Sequence, residues 1–205
     1  MKIHNRGLLI VISGPSGVGK GTVRKALFER ADHDLIYSIS MTTRAPRNGE
    51  TNGVEYHFVS KEEFIRQINK GNLLEYAEFC DNYYGTPLDK VQEQLEKGQE
   101  VVLEIEVQGA MQVKEKMPDA VYVFIAPPSM KALEDRLKNR GTECQDLINK
   151  RLNKARSEIK MAAEYGYIVV NDTVENAADR IMAIIRAEHA RTTRVLDQYK
   201  KLMEE

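Results

Sequence analysis

Leu8-Leu9-Ile10-Val11-Ile12-Ser13-Gly14-Pro15-Ser16-Gly17-Val18-Gly19-Lys20-Gly21-Thr22 is the stretch on which the fold turns. Its first five residues are continuously apolar, the pattern of a strand buried on both faces as in a parallel sheet. The run closes at Ser13-Gly14-Pro15, and a helical segment, Val23–Arg30, follows Thr22. Between strand and helix lies a glycine-rich loop ending in a lysine. Glycines let successive backbone N–H groups turn inward around phosphate oxygens, the helix N-terminus adds a favourable dipole, and Lys20 adds charge. A flexible connector would also be rich in glycine. The spacing, the lysine and the flanking strand and helix together favour the phosphate-binding reading. At the position after the lysine, where such loops carry Ser or Thr to meet Mg²⁺, stands Gly21, with Thr22 next. Direct coordination by a hydroxyl is therefore not expected; a metal here would lean on phosphate oxygens, water and nearby carboxylates, with Thr22 and Glu104 reached through water.

Working outward, Val101–Leu103 with Ile105, Val121–Ile125 and Tyr167–Val170 repeat the buried-strand pattern. Helices with legible ends lie between them. Ser60 with Glu63 forms a capping box for a helix that stops at Gly71. Thr86 caps a helix with Pro87 at its first position and Gly98 past its end. Ser129 opens a helix ending near Gly141, and Thr142 with Gln145 opens a long one to about Tyr165. A final helix is expected from about Glu175 to Lys200. Its Ala183, Ile184, Ala187 and Val195 can pack on the chain's own core or on a second copy in a homodimer.

Strands alternating with helices predict an α/β fold, a mainly parallel sheet flanked by helices. The stretch from about 36 to 97 differs, with short alternating strands (Tyr37–Ser40, Glu55–Val59) and turns at Asn48-Gly49 and Asn52-Gly53. It reads as an insertion covering one side of the site.

Composition bounds the rest. The 205 residues are 42% apolar and 30% charged, with net charge −1. That balance describes one globular domain and argues against an obligate nucleic-acid binder. Two cysteines, Cys80 and Cys144, are too few for a disulfide framework, and they form no metal-ligand spacing with the four histidines. The apolar run Leu8–Ile12 is too short for a signal segment or a membrane span, so a cytoplasmic chain is expected. Charge is segregated: residues 72–115 hold ten acids against three lysines, and residues 129–160 hold nine bases against five acids.

Two further strings carry chemistry. Ser38-Ile39-Ser40-Met41-Thr42-Thr43-Arg44-Ala45-Pro46-Arg47-Asn48-Gly49-Glu50 is followed by Gly53-Val54-Glu55-Tyr56-His57-Phe58. Arg44 and Arg47, held by a proline turn, make a donor cluster suited to a dianionic phosphate. Tyr56 and Tyr84 each offer a phenolic donor. Then come Leu74-Glu75-Tyr76-Ala77-Glu78-Phe79, Asn82-Tyr83-Tyr84-Gly85-Thr86-Pro87 and Leu103-Glu104-Ile105-Glu106-Val107-Gln108-Gly109. Singly, Glu75 and Glu106 read as solvated or salt-bridged acids and the tyrosines as packing residues. As a set, these strings resemble the guanylate kinase family, over nearly the whole chain from the phosphate loop to Val169-Val170-Asn171-Asp172.

The resemblance implies a P-loop kinase core (about 1–35, 98–127 and 166–205), an inserted GMP-binding subdomain (about 36–97) and a helical lid (about 128–165). It implies transfer of the γ-phosphate of Mg²⁺-ATP to GMP, and to dGMP. ATP would lie on Gly14–Thr22 with Lys20 bridging its phosphates, and Arg140 and Asn171 near its adenine. Arg44, Arg47, Tyr56 and Tyr84 match positions that hold the GMP phosphate. Guanine presents N1–H and N2–H₂ donors beside an O6 acceptor, and the matching carboxylates are Glu75 and Glu106, the matching hydroxyls Ser40 and Thr86. Glu104 and Glu106 stand where some members carry aspartates. Arg136 and Arg151 match lid arginines that close over the phosphates, where charge spreads during transfer; with Lys20 and Arg44 they form the implied catalytic set. The partners implied are the two nucleotides, with no nucleic acid and no membrane. Two alternatives remain: an inactive kinase-like protein-binding module, expected to have lost such residues, and a monophosphate kinase of different base choice.

Overall fold

The computed structural model of the chain describes residues 6–30, 34–139 and 145–204. β1 (Leu9–Ser13), β2 (Leu35–Tyr37), β7 (Glu100–Glu104), β8 (Val121–Ala126) and β9 (Tyr167–Val170) form a parallel sheet in the order β2-β7-β1-β8-β9. β1 is central, and its alternation shows why a continuous apolar run was needed. Ile10 and Ile12 face one core with Val23 and Leu27 of α1 (Lys20–Phe28) and Ile181 and Ile185 of α7 (Val174–His189). Leu9 and Val11 face the other, with Val91 and Leu95 of α3 (Leu88–Glu96) and Val107, Ala110 and Val113 of α4 (Val107–Lys116). Both faces are buried, which favours apolar residues at every position from Leu9 to Ile12.

Phe124, fully buried beneath the edge of Tyr165 at 5.1 Å, fills the second core. Replacing Phe124 by alanine is expected to cost about 3–5 kcal/mol, read as a lower urea midpoint at unchanged slope.

A second sheet, β4-β3-β6-β5, is built from β3 (Met41–Thr42), β4 (His57–Phe58), β5 (Leu73–Phe79) and β6 (Asn82–Pro87). α2 (Lys61–Asn69) packs Phe64 onto it, stacked at 5.4 Å on Tyr83. Its expected N-terminus is met: Ser60 accepts from the Glu63 N–H. α5 (Met130–Asn139) and α6 (Gln145–Lys160) pair through a small core of Leu133, Leu137, Ile148, Leu152 and Ala155. Thr142 and Gly141, the expected cap and helix end here, lie outside the described residues.

Three expectations need correction. The strand expected at Tyr37–Ser40 is instead β2, which joins the main sheet beside β7, while β3 starts the second sheet at Met41. Thr86 does not cap α3, whose N-cap is Pro87; its hydroxyl is used elsewhere. The final helix is two, α7 and α8 (Thr192–Glu204). Glu188 causes that break. It is buried, accepts from the Tyr167 hydroxyl, and draws in Arg194 Nε at 3.0 Å. Residues six apart on one continuous helix point to different faces, so the chain must turn for Arg194 to return. Of the residues singled out on that helix, Ala183 and Ala187 are exposed; α7 buries Ala177, Ala178, Ile181, Met182 and Ile185 instead.

Candidate active site

The phosphate loop leaves β1 and enters α1 with Gly14, Gly17 and Gly19 at φ of 150°, 87° and 94°. Space is as tight as the dihedrals. A Cβ at Gly14 would stand 2.3 Å from the Ile125 carbonyl oxygen, and one at Gly19 2.7 Å from Asn171 Nδ2. Lys20, in the first turn of α1, folds back to donate Nζ to the carbonyls of Gly14 (2.6 Å) and Pro15 (3.2 Å). Burial pushes its ammonium pKa down, and the carboxylates of Glu104, Glu158 and Glu106 oppose that shift.

Two residues from distant elements hold the loop's apex. Arg136, on α5, donates Nη1 to the Val18 carbonyl (3.0 Å) and Nη2 to that of Asn171 (2.8 Å). Asn171, buried just past β9, donates Nδ2 to the same Val18 oxygen at 2.8 Å. In this conformation Arg136 therefore braces the loop from behind by its backbone. Arg151 lies half-buried on α6. Arg140 lies outside the described residues.

A chamber of about 220 Å³ opens beside Lys20, lined by Gly14, Ser16, Glu104, Ile105, Glu106 and Glu158. A larger cleft of about 710 Å³ lies between the two sheets. Its walls include Ser40, Tyr56, Glu75, Tyr84, Glu104 and Glu106 from the expected set. Glu104, Ile105 and Glu106 line both spaces, so the end of β7 is their common wall.

Glu75 is the cleft's buried acid, 7% exposed. The Thr86 hydroxyl donates to its Oε1 at 2.7 Å, across the β5–β6 pair. Burial pushes the Glu75 carboxyl up, against the pull of Thr86 and Lys116. Its Oε2 stands 3.0 Å from where a Cβ on Gly109 would be, so only glycine fits that turn of α4 without displacing it. Glu106 differs: it is exposed at the N-cap of α4 and pairs with Lys154 at 3.0 Å.

Glu50 also lines the cleft; it accepts a bidentate bond from Arg44 (2.9 and 3.0 Å) and a bond from the Arg47 N–H at 2.7 Å. These bonds hold the Glu50 carboxyl below the usual carboxylate range. The Arg44 guanidinium lies 5.4 Å from the Tyr56 ring centre, and Tyr56 meets Tyr84 edge-on at 6.0 Å. Arg44, Tyr56 and Tyr84 thus converge, whereas Arg47 is exposed at the turn.

Sequence reasoning missed four residues here. Arg24 donates Nε to Glu104 Oε2 at 2.8 Å and stacks 4.3 Å from the Tyr37 ring centre. Glu50 carried a signal, since it ends the quoted arginine string. Glu158 and Lys154, on α6, carried none.

Among the described residues no three acidic, histidine or cysteine side chains cluster closely enough to form a cage. Glu104 lies 3.6 Å from where a Gly21 side chain would begin, an ordinary contact distance, so its carboxylate borders the position after the lysine. Thr22, on the first turn of α1, is exposed. One or two oxygen ligands beside a phosphate loop suit Mg²⁺, which keeps waters and takes the rest from phosphates.

The guanylate kinase family model matches residues 6–188. The guanylate kinase of Latilactobacillus sakei is 57% identical over 99% of this chain and 100% of that protein. That of Onion yellows phytoplasma is 56% identical over 100% of this chain and 97% of its own length. Among solved structures, guanylate kinase from Anaplasma phagocytophilum superposes with TM-score 0.71 at 38% identity, covering 93% of this chain and 90% of that one. No described helix is long and apolar enough to cross a membrane.

Proposed function

Because the chain belongs to the guanylate kinase family, and so phosphorylates GMP, we propose that the donor is ATP and that GMP and dGMP are both accepted, through direct in-line transfer. An acceptor phosphate oxygen attacks the γ-phosphorus, and the bond to the oxygen bridging the β-phosphorus breaks. No covalent enzyme intermediate is needed. The observation that carries this reading is the shared wall: Glu104–Glu106 borders both the phosphate-loop chamber and the cleft that contains Glu75. A donor on the loop and an acceptor in the cleft would meet there.

ATP phosphates lie on Gly14–Thr22, with Lys20 swinging from the Gly14 and Pro15 carbonyls to the phosphate oxygens. Arg44, Arg47, Tyr56 and Tyr84 hold the acceptor phosphate, and the bonds that Arg44 donates to Glu50 fix its fork in advance of binding. Glu75 and Glu106 accept from guanine N1–H and N2–H₂, with Ser40 and Thr86 as the hydroxyls of the base pocket. Mg²⁺, held by Glu104 with Thr22 through water, would neutralise charge on the donor phosphates. Arg24 keeps the Glu104 carboxylate aimed. The 36–97 insertion and the 128–165 lid close over both substrates and exclude water. Arg136 and Arg151 then add charge at the transferring group, and Arg140 and Asn171 flank the adenine.

The test is ADP formation from Mg·ATP with GMP, dGMP, AMP, CMP or UMP and without acceptor. Rapid turnover with GMP and dGMP and little with the rest is expected. Turnover with AMP instead would keep the phosphate-loop assignment and sink the guanine pocket.

A further inference from the structure

Lys154 and Glu158, one turn apart on α6, have no part in the scheme above, yet both reach its common wall. Lys154 Nζ donates to Glu106 Oε2 at 3.0 Å and stands 3.6 Å from Glu158 Oε1. Glu158 lines the chamber beside Lys20, and its side chain is 12% exposed. Its Oε2 is buried with no hydrogen-bond partner. A buried carboxylate oxygen without a donor is costly, and such atoms are rare in folded proteins. Two ammonium groups lie near Glu158: Lys20, which is held on the Gly14 and Pro15 carbonyls, and Lys154, 3.6 Å from its Oε1, with three N–H groups on a flexible stem. In this conformation Lys154 is committed first to Glu106, an exposed acid at the cleft.

We propose that Lys154 is a two-position specificity residue, seated on Glu106 while the acceptor cleft is free and transferred to Glu158 when guanine N–H donors take Glu106. The proposal rests on Glu106 reading guanine. Lysine and guanine compete for one carboxylate, so guanine entry removes the tether between α6 and the wall of the cleft. That coupling is reciprocal: guanine weakens the tether by the same factor by which the tether weakens guanine binding. The two seats explain why a lysine sits between two acids at unequal distances, and why the farther acid keeps an unused buried oxygen. Exposed ion pairs are weak, so the competition is worth about two- to fivefold in affinity.

The experiment is calorimetric titration of GMP into the unaltered protein and into Lys154→Ala, Glu158→Gln, the double variant and Glu106→Gln. Thermal melts confirm that each variant is folded. Lys154→Ala is expected to tighten GMP about two- to fivefold, because the competitor is gone. Glu158→Gln is expected to weaken GMP by a similar factor, because Lys154 loses its second seat and stays on Glu106. In the double variant the Glu158→Gln effect should vanish. Unchanged or weaker binding by Lys154→Ala overturns the proposal. So does a neutral Glu158→Gln, or an effect of Glu158→Gln that persists without the lysine. If Glu106→Gln leaves GMP affinity unaltered, the guanine assignment itself fails. If Glu106→Gln weakens GMP while Lys154→Ala does nothing, only the lysine switch fails.

Discussion

Replacing Lys20 by alanine is expected to lower turnover by about a thousandfold, the scale of removing one positioned donor from a transition state that gathers charge. GMP affinity should change little. Lys20 lines the small chamber and not the acceptor cleft. Its present contacts are the Gly14 and Pro15 carbonyls, so the ammonium is stored on the loop's own backbone, beside the place where phosphates would lie. Truncation leaves those carbonyls facing a polar chamber of about 220 Å³, roomy enough for water to replace the lost donor. The fold should survive. Steady-state kinetics and GMP titration on the same preparation separate the two effects. An equal loss of GMP affinity, or turnover within tenfold of the unaltered enzyme, contradicts the assigned role.

Glu75→Gln is the second large effect, and it should move stability and selectivity in opposite directions. The Thr86 hydroxyl donates to Glu75 Oε1, and an amide oxygen can still accept that bond, though less strongly than a carboxylate. The other atom changes from acceptor to N–H donor. Facing guanine N1–H it sets donor against donor, whereas adenine N1 can accept from it. Preference for GMP over AMP is expected to fall by about ten- to a hundredfold, the worth of one charged hydrogen bond in a closed pocket. Unchanged discrimination would move the guanine contact to another residue.

Stability follows from the sign of the carboxyl's shift. Burial raises its pKa in the folded chain above that of the unfolded chain. The folded state is then least penalised at acidic pH, where the group is protonated in both states. Stability is lost as pH rises from the unfolded value through the folded one. Glutamine carries no such charge, so the variant should melt higher than the unaltered protein at neutral pH and lose that advantage on acidification. GMP binding by the unaltered enzyme should weaken as pH falls through the raised pKa, because guanine's donors need the carboxylate. In Glu75→Gln that part of the pH dependence should be gone. Melting curves and GMP titrations across pH check both signs.

Contiguous stretches of the chain announced much of this architecture. The unbroken apolar run Leu8–Ile12 could only be a strand covered on both sides, and it is the centre of the parallel sheet. The loop glycines announced backbone with positive φ, which side chains resist, and Ser60 with Glu63 announced a helix start. The Glu75 and Thr86 strings stood out only through their resemblance to the family; the bond between the two side chains joins adjacent strands of a short hairpin, eleven positions apart, and no local pattern announced it.

Tertiary structure decided what depends on long-range meeting. Arg136 reaches Val18 across 118 positions, Asn171 reaches it across 153, and Arg24 reaches Glu104 across 80. Nothing local distinguishes such arginines from solvated helix-surface residues. The turn between α7 and α8 belongs to the same class, since neither glycine nor proline marks it and a buried Glu188 compels it. So does the seating of Lys154 between Glu106 and Glu158. A one-dimensional pattern records backbone preference and the need for burial. Which charge finishes beside which is set only when the sheet order brings separate segments to one wall, where desolvation makes an unpaired charge costly.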